Sequence, residues 1–356
     1  VNDSPVGGLL LRVLGFVLAG AVFVVAMAFL LPRLQSVGVP IAPTAPPFAG
    51  VIQTELPEAP LDAVATLSPT PTASATPTVS GPVRAPGDTF DGERALEHVR
   101  EQMAFGPRPT GSEASRMTAD TITSYLSELG WETETQPFIY MDTPGQNLVA
   151  KLGEAGGPVR MFGAHYDTRR RADQDPQNPE APVPGANDGA SGVAVLLELA
   201  RVVDLSQVDG QVWLVFFDAE DNGHLDGWEY VAGSRIFVSE LAVSPEYLVL
   251  VDMIGDADQN IYYEQTSDAA LREQLWEIAA EQGYEGAFIP ELRYSMLDDH
   301  TPFLEAGIPA VDLIDFDYPY WHTTEDTLDK VSAVSLERVG RVLEAFIEMG
   351  AVYDGS

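Results

Sequence analysis

Five stretches of this chain carry side chains that could bind a metal ion or move a proton. His165 and Asp167 lie in GAHYDT, Asp188 in GANDGASG, Glu220 and Asp221 in FFDAED, Asp252 in LVDMIG, and His322 in WHTTEDT. Imidazoles combined with carboxylates suit a zinc-like ion, and a carboxylate beside such a ligand can carry a proton. Asp252 stands inside the apolar run YLVLVDMIG, where an acid is costly to bury unless it is hydrogen-bonded or metal-bound. The chain has no cysteine, so thiolate ligands and disulfides are excluded and a metal site must use His, Asp and Glu.

These residues need a scaffold that brings them to one place. Residues 159–164 are apolar apart from Arg160 and read as a buried strand leading to His165. Val193, Leu196, Leu197, Ala200 and Val203 recur at helical spacing, which puts Asp188 at the start of a buried helix. Apolar runs at 211–217, 247–253 and 308–314 predict further strands, each ending near a candidate ligand: Glu220 with Asp221, Asp252, and then His322. Helices are expected over 91–104, from an N-cap at Ser112 to Gly130, over 229–241, over 268–282 and from 335 onward. Residues 131–140 and 147–152 read as strands joined by a turn at Thr143-Pro144-Gly145. The alternation indicates an α/β fold with a mixed sheet. A single His near aromatics is usually structural, but ligand types at four strand ends and one helix start are not explained by solvation or packing. The carboxyl edge of such a sheet is where ligands bind.

The rest of the chain divides by composition. Residues 13–32 are uncharged, long enough to cross a hydrocarbon core of about 30 Å. Residues 1–34 therefore read as a membrane anchor, with a cleaved signal peptide ending near Ala26-Met27-Ala28 as the alternative. Residues 35–88 are rich in Pro, Thr, Ser and Ala, bury too little to offset their ordering entropy, and read as a disordered stalk. Residues 89–356 are left for one globular domain, expected outside the cytoplasm on its anchor, or secreted if the anchor is cleaved. The formal charge of −35 disfavours nucleic acid and anionic membrane surfaces. It reads as solubility or salt adaptation, or as a field that attracts a positively charged amino terminus.

From FGPRPTGSEASRMTADTI through GAHYDT, GANDGASGVAVLLELAR, FFDAED, GSR, LVDMIG, DDHTPFLEAGIP and WHTTEDT, the sequence resembles the zinc exopeptidase family, metallopeptidase family 28. The likeness spans residues 91–351. It implies a three-layer α/β/α domain with a central mixed, mostly parallel sheet, and a zinc enzyme acting on peptide or protein N-termini. It implies Asp188, Asp221 and His322 as ligands of one zinc and Glu220 as general base. His165 and Asp252 match the ligands of a second zinc, with Asp188 bridging. Asp221 departs from the aminopeptidase pattern, where Glu is usual.

Two features are similar to the glutaminyl-peptide cyclotransferase branch, which forms pyroglutamate with release of ammonia. Twelve positions run from Asp221 to Gly233, and DDHTPFL supplies Asp298. The resemblance implies that Asp298 faces Asp252, shares a proton with it and competes with a second zinc. The alternatives are a two-zinc aminopeptidase and an anchored binding protein without catalysis. Trp228, Tyr320 and Trp321, with Tyr318, are candidate pocket walls or core residues. Arg169, Arg170 and Arg171 read as a solvated loop face or as a contact for a substrate carboxylate, His224 as surface or pocket rim, and His98 and His300 as structural. Gly189-Ala190-Ser191-Gly192 lacks the last glycine of a nucleophile elbow, which disfavours serine hydrolysis. The sequence sets no oligomeric state.

Overall fold

Two helices lead into the sheet, and their ends are set by local chemistry. A computed structural model describes residues 83–350 and 352–353. Helix α1 (Gly92–Ala104) is capped by Asp91, which accepts from the N–H groups of Glu93 and Arg94. Helix α2 (Glu113–Glu128) is capped by Ser112 and followed by Gly130 at φ 86°. Then come β1 (Glu132–Tyr140), β2 (Thr143–Gly153), β3 (Val159–His165), α3 (Ala190–Val202), β4 (Gln211–Phe217), α4 (Ala232–Ser239) and β5 (Tyr247–Asp252). The chain continues through β6 (Ile261–Tyr263), α5 (Ala269–Glu281), β7 (Phe288–Leu292), α6 (Thr301–Glu305), β8 (Ala310–Ile314) and α7 (Ala333–Glu348).

Six strands form one sheet in the order β1-β2-β4-β3-β5-β8. β4, β3, β5 and β8 run parallel, while β1 with β2 and β2 with β4 are antiparallel, so the sheet is mixed as expected. Alternating side chains divide the core between two faces. Phe162, Leu214 and Phe216 join the larger cluster with Val99, Val195 and Leu343 of α1, α3 and α7. Met161, Val215 and Phe217 join the smaller one with Phe237 of α4 and Phe303 of α6. Every residue of α3 is buried, because the helix is enclosed by the sheet on one side and by α1 and α7 on the other.

Several local expectations change. The β1–β2 turn is Met141-Asp142, with φ 48° and 59°, and Thr143, Pro144 and Gly145 already pair with Tyr140, Ile139 and Phe138. A two-residue turn with both residues left-handed matches the twist of its strands. The helix expected from 229 starts at Ala232, because Val231 is left-handed at φ 55° and its N–H is turned onto the Glu220 carbonyl. The small parallel pair β6–β7 is too short and too exposed to leave a sequence pattern. Ala85 and Gly87, placed in the expected stalk, donate to the Arg201 and Val202 carbonyls at the end of α3. The expected anchor and the stalk as far as residue 82 lie outside the described residues, and among the described residues no helix is long and apolar enough to cross a membrane.

The approach of α3 to the sheet is closest at Gly192, where an added Cβ would lie 2.3 Å from the Val251 carbonyl oxygen. Gly192→Ala is therefore expected to destabilise the chain by about 1–3 kcal/mol in urea unfolding. An unchanged midpoint would contradict so close a contact.

Candidate metal centre

The parallel strands end side by side, and each delivers its chemistry at that edge. His165 is the last residue of β3, Asp252 the last of β5, and Glu220 and Asp221 follow β4 directly. Asp188 lies just ahead of α3, and His322 lies on the loop after β8. The structure brings these residues into two groups, His165–Asp188–Asp252 and Asp188–Asp221–His322, with Asp188 common to both. His165 Nε2 stands 3.2 Å from Asp188 Oδ1 and 3.1 Å from Asp252 Oδ1. His322 Nε2 stands 2.9 Å from Asp221 Oδ1 and 3.9 Å from Asp188 Oδ2. All five donors are buried, and Asp188 Oδ2 and Asp221 Oδ2 have no hydrogen-bond partner. Buried carboxylate oxygens left without donors, beside two imidazoles and without sulfur, are the donor set that zinc takes. Ala219, Met253 and His322, each adjacent to or among the donors, hold left-handed backbone at φ 60°, 46° and 56°. Strain of this kind persists where surrounding structure enforces it.

Buried polar residues supply that enforcement. Asp167 accepts from the Glu220 N–H at 3.0 Å and from Thr110 Oγ1 at 3.1 Å. Asp326 accepts from the N–H groups of Asn187 and Asp188 and from the Tyr318 hydroxyl. Asn187 ties the start of α3 to the loop after β5, donating to the Met253 carbonyl and accepting from the Gly255 N–H. Arg108 is fully buried and donates to the carbonyls of Tyr166, Pro184 and Gly185. Burial lowers its guanidinium to about 10, opposed by the charges of Asp326, Asp167 and Asp188.

Arg169, expected on a solvated loop face, is 1% exposed. It donates to the Asp221 carbonyl at 2.7 Å, to the Gly223 carbonyl and to Asp173. The carbonyls of a ligand loop folded inward need donors, and a guanidinium offers five in a fixed fork. Arg170 lies over the Trp228 ring at 4.3 Å and Arg171 pairs with Asp226, so these two hold the loop after β4 from outside. The roles of Arg108, Asp326 and Arg169 were not recognised in the sequence. Their one signal was position, a cation or acid inside motifs that otherwise carry ligands, in a chain with 19 Lys and Arg against 54 acids.

Four of the five donors, Asp188, Asp221, Asp252 and His322, line a cavity of about 250 Å³ together with Glu220 and Asp298, while His165 is not among its lining residues. Five carboxylates and no Lys or Arg are among its lining residues. Burial raises Glu220 well above the carboxylate range, against the pull of His165 and with the push of Asp221, Asp298 and Asp299. Burial and then Asp252 do the same to Asp298. Asp221 is raised to about 6 by burial and Asp188. A bound divalent cation would relieve this repulsion and hold its ligands ionised.

Of the expected walls, Trp321 lines the cavity, stacked on His322 with ring centroids 3.7 Å apart. Trp228 and Tyr320 do not. Trp228 is drawn into a satellite core with Phe138 and Tyr140, and Tyr320 packs against Tyr318 beneath Lys330. Tyr230, Met296 and Phe316 take their place, and His224, read as surface or pocket rim, lies at the cavity. His300 is buried with Thr266, Glu264 and Asp312 as neighbours, outside both metal groups. His98 packs edge-on against Tyr125 beyond the site.

Residues 147–347 match the model of peptidase family M28. The glutaminyl-peptide cyclotransferase of Bos taurus is 25% identical, over 67% of this chain and 77% of that protein. Among solved structures, a leucine aminopeptidase precursor from Bacteroides thetaiotaomicron superposes with a TM-score of 0.69 at 28% identity, covering 74% of this chain and 99% of that one. Tannerella forsythia glutaminyl cyclase superposes with a TM-score of 0.67 at 31% identity, covering 73% of this chain and 99% of that one.

The shared carboxylate gives a direct test. Asp188→Ala removes a donor from both groups and should bring zinc uptake by the metal-free chain below one ion per molecule, whereas His165→Ala removes a donor from one group only. Metal analysis after gel filtration reads the difference. Equal zinc content in the Asp188 variant and the parent would rule out the shared ligand.

Proposed function

From the premise that the chain belongs to peptidase family M28, we propose that this enzyme of peptide N-termini cyclises an amino-terminal glutaminyl residue and releases ammonia. The observation that carries the reading is Asp298. It is buried and lines the same cavity as Asp252, and burial followed by the Asp252 charge pushes its carboxyl well above the usual carboxylate range. A proton on Asp298, which lines the cavity with Asp252 and whose Oδ2 has no hydrogen-bond partner, would compete with a cation for the Asp252 carboxylate, which favours a single ion on Asp188, Asp221 and His322. Zinc bound there supplies a Lewis acid for the glutamine side-chain carbonyl.

The remaining work belongs to Glu220. The α-nitrogen attacks the side-chain carboxamide carbon, and a carbon–nitrogen bond forms. Glu220 takes the proton this nitrogen loses and returns it to the departing carboxamide nitrogen, whose bond to carbon breaks as ammonia leaves. No water is consumed. A carboxyl with a raised affinity for protons is suited to both halves of that transfer. The cavity's five carboxylates, without a lining Lys or Arg, attract a positively charged amino terminus, which attacks once it is the neutral amine, and they disfavour an amino-terminal glutamate. The cyclotransferase and glutaminyl cyclase relatives support this choice.

A second reading rests on the complete His165–Asp188–Asp252 group. With two ions, Glu220 would activate water for hydrolysis of the amino-terminal residue. The uncharged stretch 13–32 supports a further proposal, that the enzyme is held on the outer side of a membrane. Full-length chain that fractionates as soluble protein without detergent would reject it.

Glutaminyl peptides should release ammonia, and Glu220→Gln should reduce kcat by about 10² to 10⁴ with zinc content retained. Asp298→Asn should impair cyclisation and also retain zinc. Two tightly bound zinc ions, hydrolysis of aminoacyl chromogenic substrates and no ammonia from glutaminyl peptides would replace cyclisation with the aminopeptidase reading.

A further inference from the structure

The loop between β3 and α3 carries an acid, Asp173, to which the reaction above gives no role. Its Oδ1 stands 3.5 Å from Nδ1 of His322. That ring nitrogen is buried and makes no hydrogen bond, Asp173 being the acid within ion-pair distance of it, while Nε2 of the same ring faces Asp221 and Asp188. Asp173 is partly open to solvent, with its side chain 36% exposed, yet its carboxylate is fixed. Arg169 grips both oxygens, Nε to Oδ1 at 2.7 Å and Nη2 to Oδ2 at 2.9 Å. The same guanidinium donates through Nη1 to the Asp221 carbonyl at 2.7 Å and stands 3.8 Å from Asp221 Oδ1. The contacts close into a ring, from Asp221 to His322, to Asp173, to Arg169 and back to Asp221.

The other metal group also has an acid behind its imidazole, but farther off and with no guanidinium gripping it. Nδ1 of His165 lies 3.8 Å from Asp167 Oδ1 and, like Nδ1 of His322, makes no hydrogen bond. Asp167 is already occupied by the Glu220 N–H, the Asp221 N–H, Thr110 and Asn222. A ligand imidazole that donates from one nitrogen to a carboxylate has its tautomer and ring plane fixed, and presents the other nitrogen's lone pair to the metal.

We propose that Asp173, locked by Arg169, is a positioning residue that fixes His322 in its metal-binding tautomer and makes Asp188–Asp221–His322 the tighter of the two groups. The inference rests on the reading of these groups as metal sites, and deepens it by ranking them.

The test is zinc affinity of the full-length, metal-free chain, read by competition with a chromogenic chelator, with thermal unfolding of the metal-free chain measured in parallel. Asp173→Asn keeps the shape and removes the charge. It should raise the zinc Kd of the tighter site about 10- to 100-fold while the metal-free unfolding midpoint stays in place. Arg169→Lys, which cannot form the bidentate grip, should also weaken zinc, and the double variant should lose less than the product of the two single losses because the residues act as one unit. An unchanged Kd in Asp173→Asn, fully multiplicative losses in the double variant, or an affinity loss matched by a fall in the metal-free midpoint would each overturn the positioning role. A parent chain that takes up no zinc would overturn the metal reading itself, a result distinct from a parent that binds zinc and an Asp173 variant that binds it equally well.

Discussion

Concentrated negative charge in a buried place is the constraint on which this structure turns. Asp188, Glu220, Asp221, Asp252 and Asp298 line one cavity that contains no Lys or Arg, and each carboxylate makes its neighbours harder to ionise. The protein answers from behind. Arg108 and Arg169 do not enter the cavity but bind the carbonyls of the loops that carry the acids. Asp188 sits just ahead of the first turn of α3, where the aligned peptide dipoles favour an anion. The two imidazoles supply the remaining compensation, and their pairing with the acids defines the geometry into which a cation fits.

The same constraint explains the unusual backbone. A strand end normally hands over to a loop that runs outward, yet here Ala219 after β4, Met253 after β5 and His322 after β8 turn left-handed so that ligands converge. Those turns leave buried N–H groups and carbonyls that require partners. Asp167, Asn187 and Asp326 provide them, each joining two or more loops. The polar network is therefore part of the site and does not only line it.

What the sequence made legible follows from which forces leave a pattern. β3, β4, β5 and α3 were visible because burial on both sides imposes apolar runs or apolar periodicity on them, and the ligand types at their ends stood out against that background. The β1–β2 turn was misplaced because Pro144 and Gly145 are strong turn formers in general, while the left-handed tolerance of Met141 and Asp142 is only weakly encoded. The start of α4 was misplaced for a related reason, since a helix-compatible Val231 is held out of the helix by contacts from the preceding loop. Arg169 was misread because residue type predicts average exposure, and Trp228 could not be assigned between pocket wall and core, because the burial of both is dictated by carbonyls and aromatic partners distant in sequence. The separation between ligands and their supports was invisible for the same reason.

The shared carboxylate also ties the two candidate chemistries together. Asp188 offers one oxygen to each group, so filling one does not consume the donor of the other. The groups differ in their second acid and in what stands behind their histidine. Asp221 is bonded to His322 and its loop is held by Arg169, while Asp252 shares the cavity with Asp298, whose carboxyl burial and the Asp252 charge push above the usual carboxylate range. Both ligand sets are complete, and the choice between them under the proposed function lies in a proton on Asp298 and in the support behind an imidazole. A family of such enzymes could then move between cyclisation and hydrolysis by altering the residues behind the ligands while the ligands themselves stay the same, which is a smaller change than building a second metal site.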